Sequence, residues 1–406
     1  MEIFIARQPI FNRSKKLFGY ELLHRSNRDN VFPGTDGDRA TSKLLVNTFL
    51  NIGLGTLVSS KWAFINFTEE HLLEKTALNL PSDKVIVEVL EYVPPTPAII
   101  EACTELKKKG YILALDDFVF ADGLEPLVEL ADIIKIDFQE LSRDEVQEET
   151  RRLTNKKVQL LAEKIETYAQ FDAAWKMGFH FFQGYFFSQP EMLKKKAIPS
   201  AKIVLLDLLA EVNKKDFNLE KIEKIILPDV SLSYKLLRYI NSAYYYLLNE
   251  VTSIKHALVY LGESGVRQFV SLVATSQLSA DKPYELIRTS ITRARLCELL
   301  ADCSDQNYDS SEMFLMGLFS LLGAMLDMPM AEIMERLPLP VDIKKALVDQ
   351  SGPFYPYLAT IIAYENGDWQ SCQNLLETIS VSPKEMLQAY MDSLTWTDKL
   401  TNEKTA

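Results

Sequence analysis

Short apolar runs alternate with helix-like segments through the first half of the chain. In order, the runs read IFIARQPIF, FGYELLHR, WAFINF, KVIVEVLE, GYILALDDF, IIKIDF, VQLLAEKIE and FHFFQGYFF. Continuous apolar runs are typical of strands buried on both faces, and a spacer such as PPTPAIIEACTELKKKG suits a helix between two strands. The pattern therefore predicts an α/β fold, namely an eight-strand β/α barrel.

The pattern changes near residue 190. Pro190, a lysine run at 194–196 and Pro199 mark a linker. After it, apolar residues recur at three- and four-residue spacing, in segments such as AKIVLLDLLAEVNKK and ELIRTSITRARLCELLADC, which predicts an all-α domain. We expect a barrel at residues 1–190, a linker at 191–200, a helical domain at 201–395 and a frayed polar tail at 396–406.

Charge and composition limit the kinds of molecule that the protein is expected to bind. The formal net charge of -12 at pH 7 argues against broad affinity for nucleic acid or for anionic membranes. No stretch approaches the roughly 20 apolar residues of a membrane span, and the first residues, MEIFIARQPIF, lack the features of a signal peptide. The four cysteines have no metal-ligand spacing. We therefore expect a cytoplasmic protein with protein or small-molecule partners.

Polar side chains end nearly every predicted strand. In a β/α barrel the carboxyl ends of the strands meet on one face, where such enzymes do their chemistry, so we expect these side chains to converge. For any single position, a solvent-facing residue or a helix N-cap is the more common explanation. The presence of polar residues at the ends of successive strands favours a functional site. Its candidate oxygen ligands are Glu21, Asn66, Glu88, Asp116 and Asp117.

These candidate ligands suit hard divalent cations. Four carboxylates on one face would repel one another without compensating charge, and oxygen donors favour Mg²⁺ or Mn²⁺. Two such ions suit in-line attack of water on a phosphodiester. In that reaction Lys135 would stabilise the developing negative charge, and Glu163 would act as a base or orient the attacking water.

An ordered series of motifs resembles the EAL domain, a barrel phosphodiesterase that opens cyclic di-GMP to the linear dinucleotide. YELLHR stands at the E-A-L-x-R signature of that family. FINF, VEVLE, LDDF, KID, AEKIE and QGYFFSQP follow in the family's order. The resemblance covers residues 1 to about 190.

The resemblance implies a role for each matching residue. Two divalent cations, Mg²⁺ or Mn²⁺, would be held by Glu21, Asn66, Glu88, Asp116 and Asp117, with Lys135 and Glu163 in the reaction centre. Cyclic di-GMP would be bound by Arg25, Gln8 and Gln183. Glu91 would brace the loop that follows Asp117.

The loop after Asp117 departs from the family pattern. The family reads D-D-F-G-T-G there, whereas residues 119–121 of this chain read VFA and lack the glycines that permit tight turns. Smaller departures replace an alanine of the signature, a threonine before Glu91 and a glycine after Glu163, at Leu22, Leu90 and Lys164. Retained ligands with a substituted loop imply a degenerate enzyme with weak or no hydrolysis.

The helical half is similar to the HDOD domain, a regulatory relative of the HD metal-dependent phosphohydrolases. LPDVSLSYKLLRYINSAYYY, SIKHALVYLG and GVRQFVSL carry the resemblance, which runs from about residue 197 to 390. An HD site needs a His-Asp pair, but GLFSLLG places Ser320 and Leu321 there. We expect no hydrolysis in this half, and we expect its single histidine, His256, to be a packed or surface residue.

Three functions remain open. The first is a signalling protein whose degenerate barrel binds cyclic di-GMP or a partner and whose HDOD domain signals through contacts with other proteins, with a homodimer among its assemblies. The second is an active metal-dependent cyclic di-GMP phosphodiesterase. The third is a protein scaffold that binds no nucleotide. From the sequence we rank the sensor or scaffold above the enzyme.

Overall fold

The chain forms two compact units. The computed structural model describes residues 3–26, 53–120, 123–153, 156–191, 200–214, 219–227, 230–241 and 251–401. The first unit comprises Met1–Gln189 together with Tyr364–Trp369. The second comprises Pro190–Ala363 and Gln370–Ala406.

The first unit is built on a closed barrel of eight strands in chain order. The strands are β1 (Ile3–Asn12), β2 (Leu17–Ser26), β3 (Trp62–Phe67), β4 (Val85–Val89), β5 (Ile112–Leu115), β6 (Ile133–Asp137), β7 (Gln159–Glu163) and β8 (Phe181–Gln183). Each apolar run of the first half contains one of these strands. The prediction of an eight-strand barrel is confirmed.

Strand β1 runs antiparallel to both of its neighbours, β2 and β8. The pairs from β2 to β8 are all parallel. Only residues 13–16 separate β1 from β2. A connection this short allows an antiparallel hairpin but not the crossover that parallel strands need. The regular β/α alternation therefore begins at β2.

A layer of apolar side chains fills the barrel. Its members are almost fully buried and come from every strand except β2: Ile10, Phe64, Ile86, Ala114, Ile133, Leu161 and Phe181. Burial of such side chains is the main favourable contribution to folding. Since side chains alternate along a strand, residues two positions away from each member face the same interior. The position of this apolar layer thus determines which side chains form the layer next to it inside the barrel.

Six α-helices of the first unit connect the strands or precede them. They are α1 (Leu54–Val58), α2 (Glu69–Leu73), α3 (Pro97–Lys108), α4 (Glu125–Leu130), α5 (Arg143–Leu153) and α6 (Tyr168–Met177). Helix α3 buries Ile99, Ala102, Cys103 and Leu106, whose spacing places them on one face. At the start of α6, Thr167 and Gln170 form a reciprocal capping box.

All the regular secondary structure described for the second unit is helical, which confirms the prediction of an all-α half. Its helices are α7 (Ser200–Val212), α8 (Leu219–Ile226), α9 (Val230–Ile240), α10 (Ile254–Leu278), α11 (Tyr284–Cys303), α12 (Ser310–Phe319), α13 (Leu322–Leu326), α14 (Met330–Arg336), α15 (Val341–Lys344), α16 (Tyr355–Glu365), α17 (Trp369–Thr378) and α18 (Pro383–Thr401). Helix α10 is broken at Gly262, whose φ of 63° and ψ of -173° are not helical. The break separates the SIKHALVYLG and GVRQFVSL motifs.

Helix α18 extends past residue 396, where the sequence predicts a frayed tail. Thr397 is buried, and its hydroxyl lies 3.1 Å from that of Thr292. Asp398 pairs with the buried Arg288. These tertiary contacts hold a polar segment in the helix as far as Thr401, whereas the four-part division of the chain remains a prediction.

None of the helices within the described ranges is long and apolar enough to cross a membrane.

Substitution of Gly184, directly after β8, tests how closely the backbone packs where the barrel closes. Its φ is 135°, and a Cβ atom there would lie 2.2 Å from the backbone oxygen of Ile165. Gly184→Ala is therefore expected to lower the free energy of unfolding by more than about 2 kcal/mol, because a fixed backbone must move and the conformation disfavours L side chains. Urea unfolding measures this.

Gly55→Ala is the matched control, since Gly55 lies in α1, has no positive φ and leaves open space around a new Cβ. It should leave the free energy of unfolding unchanged or slightly raised. Equal unfolding midpoints for the two variants would contradict the close packing of Gly184 on Ile165.

Candidate active site

A polar layer lies directly above the apolar layer of the barrel. In the parallel strands β3 to β8, each core residue is followed two positions later by a polar one: Asn66, Glu88, Asp116, Lys135, Glu163 and Gln183. In β1, which runs the other way, the polar residue Gln8 precedes the core residue Ile10 by two positions. Strand β2 contributes Glu21, opposite Gln8. The alternation of a strand thus brings distant residues to one level.

Lys135 stands at the centre of this layer. Its Nζ lies 2.6 Å from Asp116 Oδ1, 2.8 Å from Glu88 Oε1, 2.8 Å from Glu163 Oε1 and 3.2 Å from Glu21 Oε2. The lysine side chain is only 1% exposed. One buried ammonium therefore forms ion pairs with four carboxylates, which come from β2, β4, the end of β5 and β7.

Burial and charge set the protonation of this layer. Burial alone would lower the pKa of Lys135, but the surrounding carboxylates raise it well above its usual value, so the lysine stays charged. Burial raises the pKa of Glu88 and of Glu163 well above the usual range, although Lys135 opposes the shift. For Glu21 the charge of Lys135 and bonds from Gln183 and Asn66 outweigh burial and lower the pKa.

Several buried oxygens of the layer are free to bind a cation. Asn66 Oδ1, Glu88 Oε2 and Glu163 Oε2 accept no hydrogen bond from any residue that the structure describes. Unsatisfied buried acceptors are costly, which suggests a missing partner. Carboxylate oxygens of Asp116, Asp117 and Glu163 also lie within 4.8 Å of one another. An all-oxygen donor set of this kind fits Mg²⁺ or Mn²⁺.

Asp117 directly follows Asp116 and lies at the edge of this layer. Its φ is 39°, and burial raises its pKa, with the charge of Lys164 as the strongest opposing influence. Lys164 also has a positive φ, 52°, and its ammonium pairs with the buried carboxylate of Asp137. Lys164 thus brings a positive charge to the Asp117 side of the site.

The residues expected to bind nucleotide border the layer on the β1 and β8 side. Gln183 Nε2 donates to Glu21 Oε2 at 2.7 Å and to Gln8 Oε1 at 3.1 Å. Gln8 Nε2 in turn lies 3.5 Å from the carbonyl oxygen of Glu365 and 3.4 Å from that of Asn366, both within the same compact unit. Arg25 pairs with Phe4 in the sheet, but its side chain lies outside what the structure describes.

The loop after Asp117 is attached to helix α5. Phe118 is buried, and its N–H donates to the carbonyl of Lys135 at 3.0 Å. The N–H of Phe120 donates to Glu149 Oε2 at 3.2 Å, and the guanidinium of Arg152 lies 5.7 Å from the Phe120 ring centre. The substituted segment is therefore held by α5 up to residue 120; residues 121–122 lie outside the described ranges.

Glu149 and Arg152 are the residues that sequence reasoning missed. The resemblance assigns the bracing role to Glu91, which is exposed and, within the described part of the chain, makes no hydrogen bond or ion pair with this loop. The role of Glu91 stays a prediction. No sequence signal distinguishes Glu149 from its charged neighbours; only the structure shows that it is buried, and a buried carboxylate needs a partner.

Ser320 and Leu321, predicted to stand at the metal-binding pair of an HD enzyme, lie in the helical unit near a cationic side chain. Ser320 Oγ accepts from Arg293 Nη1 at 3.3 Å and donates to the carbonyl of Gly317 at 2.8 Å. Leu321 is buried. His256 is exposed in the first turn of α10 and belongs to no cluster of metal-binding side chains among the described residues. The absence of hydrolysis in this half stays a prediction.

Comparisons with known proteins match both halves of the chain. The EAL domain matches residues 43–190, and the HDOD domain matches residues 198–337. The chain is 36% identical over 400 residues to the cyclic di-GMP phosphodiesterase CdgJ of Vibrio cholerae, covering 98% of this chain and 93% of that protein. It is 35% identical over 412 residues to the uncharacterized protein YuxH of Bacillus subtilis, covering all of both.

Among solved structures, the chain is similar to a standalone versatile EAL protein from Vibrio cholerae O395 in its c-di-GMP bound form. The TM-score is 0.37 at 23% identity, over 47% of this chain and 93% of that one.

Lys135→Met tests the central ion pairs. It leaves four buried carboxylates without a counter-charge, so the free energy of unfolding in the presence of EDTA is expected to fall by about 3–5 kcal/mol. Lys75→Met removes an exposed pair with Glu105 and should leave the free energy of unfolding nearly unchanged. Urea unfolding compares the two, and a similar small loss in both would rule out Lys135 as the main compensating charge.

Glu149→Ala tests the anchoring of the loop. Loss of the acceptor should increase hydrogen exchange at the Phe120 amide by at least about tenfold, because the N–H would then face water or remain unsatisfied. Gln147→Ala, at an exposed position of the same helix, is the control and should leave that amide protected. Equal exchange in both variants would show that Glu149 does not hold the loop.

Proposed function

The chain belongs to the family of proteins that join an EAL domain to an HDOD domain, and from this premise we propose that its barrel is a metal-dependent phosphodiesterase that opens cyclic di-GMP to the linear dinucleotide. A relative that aligns over nearly the whole chain bears the name of such an enzyme. The observation that carries the proposal is the buried polar layer, in which carboxylates converge on Lys135 and several oxygens have no hydrogen-bond partner among the described residues.

The loop after Asp117 no longer weighs strongly against catalysis. The sequence replaces its glycines, which favours a degenerate enzyme. In the structure, Phe118 is nevertheless tied to the backbone of Lys135, and Phe120 is tied to Glu149. These contacts support a loop that has a different chemistry but a fixed position, and we therefore place the enzyme above the sensor.

The residues of the barrel would have different roles in phosphodiester hydrolysis. Divalent cations bound by the oxygens of Glu21, Asn66, Glu88, Asp116 and Asp117 would polarise the phosphodiester. Lys135 adds a fixed positive charge for the phosphorane-like transition state. Glu163 has a free oxygen and a pKa that burial raises, so it is suited to accept a proton from the attacking water.

The nucleotide would lie over the strand ends. Gln8 and Gln183 would contact it from β1 and β8, and Arg25 would contact a phosphate from β2. Glu91 would support the loop after Asp117 from the end of β4. The helical unit, whose Ser320 is bonded to Arg293 at the former metal position, would transmit the state of the barrel through contacts with other proteins.

A second candidate function is a sensor that binds cyclic di-GMP without cleaving it. It is favoured by Lys135, because that ammonium already pairs with four carboxylates and lessens their need for a divalent cation. In this case the nucleotide would shift the protein between two states for which its affinity differs. The two functions differ in whether linear product forms.

The test incubates purified full-length protein with cyclic di-GMP and Mn²⁺ or Mg²⁺, separates bound from free nucleotide by ultrafiltration, and identifies both fractions by chromatography. Linear dinucleotide is expected from the wild type. Glu163→Gln should reduce its rate by at least about 100-fold, as expected for loss of a general base. Glu129→Gln, on the exposed face of α4, is the control and should keep the wild-type rate.

Intact nucleotide retained by the wild type would contradict the enzyme and support the sensor. Intact nucleotide that passes freely through the filter would leave a protein scaffold.

A further inference from the structure

Strand β8 covers only part of the neighbouring strand β1. It pairs with residues 10–12 of β1, and the chain then turns at Gly184 into a short 3-10 helix, Tyr185–Ser188. Residues 3–9 of β1 pair with β2, and no described strand pairs with them on their other side. Buried backbone groups need hydrogen-bond partners, so another part of the chain has to supply them along this side of β1.

A segment from the carboxyl-terminal half of the sequence lies along this side of β1. Residues Tyr364–Trp369, here called the 364–369 segment, belong to the same compact unit as the barrel. Tyr364 is fully buried, and its hydroxyl donates to the carbonyl of Ile5 at 2.7 Å and accepts from the N–H of Ile5 at 3.3 Å. The rings of Trp369 and Phe4 pack with their centres 5.5 Å apart. The segment therefore provides partners that β8 does not.

The same segment contacts a residue expected to bind nucleotide. Gln8 Nε2 lies 3.5 Å from the carbonyl oxygen of Glu365 and 3.4 Å from that of Asn366. Its Oε1 accepts from Gln183 Nε2 at 3.1 Å. The hydroxyl of Tyr185 donates to the carbonyl of Glu365 at 2.7 Å, which holds that carbonyl in place. If the Gln8 amide turned over, its oxygen would face two carbonyl oxygens, so only one orientation of the amide is satisfied.

We propose that the 364–369 segment is a positioning element of the nucleotide site, which covers the open side of β1 and fixes the orientation of the Gln8 amide. The inference rests on the proposed binding of cyclic di-GMP and adds to the residues that hold its site. A loose Gln8 would have to be ordered when the nucleotide binds, and this ordering weakens affinity. Lys135 and Glu163 are held by their own ion pair in the polar layer, so the rate of the chemical step should not depend on the segment.

Tyr364→Phe keeps the ring but removes the hydroxyl that bonds to Ile5. Affinity for cyclic di-GMP is measured by equilibrium dialysis with Mn²⁺ in full-length protein that also carries Glu163→Gln, so that the nucleotide stays intact. The Kd is expected to rise about 3- to 10-fold, as for the loss of one pre-ordered side chain. With Glu163 intact, KM should rise by a similar factor while kcat stays unchanged. Hydrogen exchange at the Ile5 amide should increase at least about tenfold.

Two further variants separate positioning from general stability. Gly367 has a φ of 70°, and a Cβ atom there would lie 2.8 Å from Leu23 Cδ1, so Gly367→Ala should displace the segment and raise the Kd as well. Tyr357→Phe is the matched control. Tyr357 lies on the same helix, α16, but in the second unit; it is 1% exposed, and its hydroxyl donates to Ser304 Oγ at 2.8 Å. Loss of that hydroxyl should leave the Kd, KM and exchange at Ile5 unchanged.

Three results would overturn the inference. The first is a wild-type Kd in both Tyr364→Phe and Gly367→Ala. The second is an equal rise of the Kd in Tyr357→Phe, which would indicate a general loss of stability. The third is a lower kcat at unchanged KM in Tyr364→Phe, which would place the effect on the chemical step.

The affinity and the product assay report on different claims. If cyclic di-GMP binds to the wild type and binds more weakly to Tyr364→Phe, but no linear dinucleotide forms, the phosphodiesterase is contradicted and the role of the segment is supported. If the wild type forms product and Tyr364→Phe keeps the wild-type KM, the role of the segment is contradicted and the phosphodiesterase is not. A wild type that binds no nucleotide would contradict both.

Discussion

The buried ammonium of Lys135 is the interaction on which the first unit depends. It lies within 3.2 Å of four carboxylates, and none of these acids could be moved out of water at this level of the barrel without a compensating charge. The same contacts define the site. A divalent cation that binds these oxygens must share them with Lys135, so the lysine sets both the stability of the polar layer and the strength of metal binding.

Much of the barrel follows from the sequence because its strands are buried on both faces. The runs around Phe64, Ile86 and Leu161 predict strands, and the two-residue period then places Asn66, Glu88 and Glu163 on one level. The direction of β1 was missed, although the four residues that connect it to β2 allow only a hairpin. The anchoring of the loop could not be predicted, because Glu149 lies 29 residues from Phe120 and meets it only in the folded chain.

Lys164 shows a different limit of sequence reasoning. A lysine at this position departs from the family pattern, but the residue type alone predicts neither its positive φ nor the partner of its ammonium. The helical unit offers a parallel, since the sequence predicts that Ser320 stands at the HD pair, whereas its donor Arg293 lies 27 residues earlier on another helix and could not be predicted.

The distance along the chain between Lys135 and Glu21 also constrains how the protein is made. The two residues are 114 positions apart, and Glu163 and Gln183 follow later still. A ribosome adds the carboxylates of β2, β4 and β5 to the chain before it adds the lysine that neutralises them. The amino-terminal strands therefore have to keep their acids hydrated during synthesis, and the barrel can bury its polar layer only after residue 183 has emerged to pair with β1.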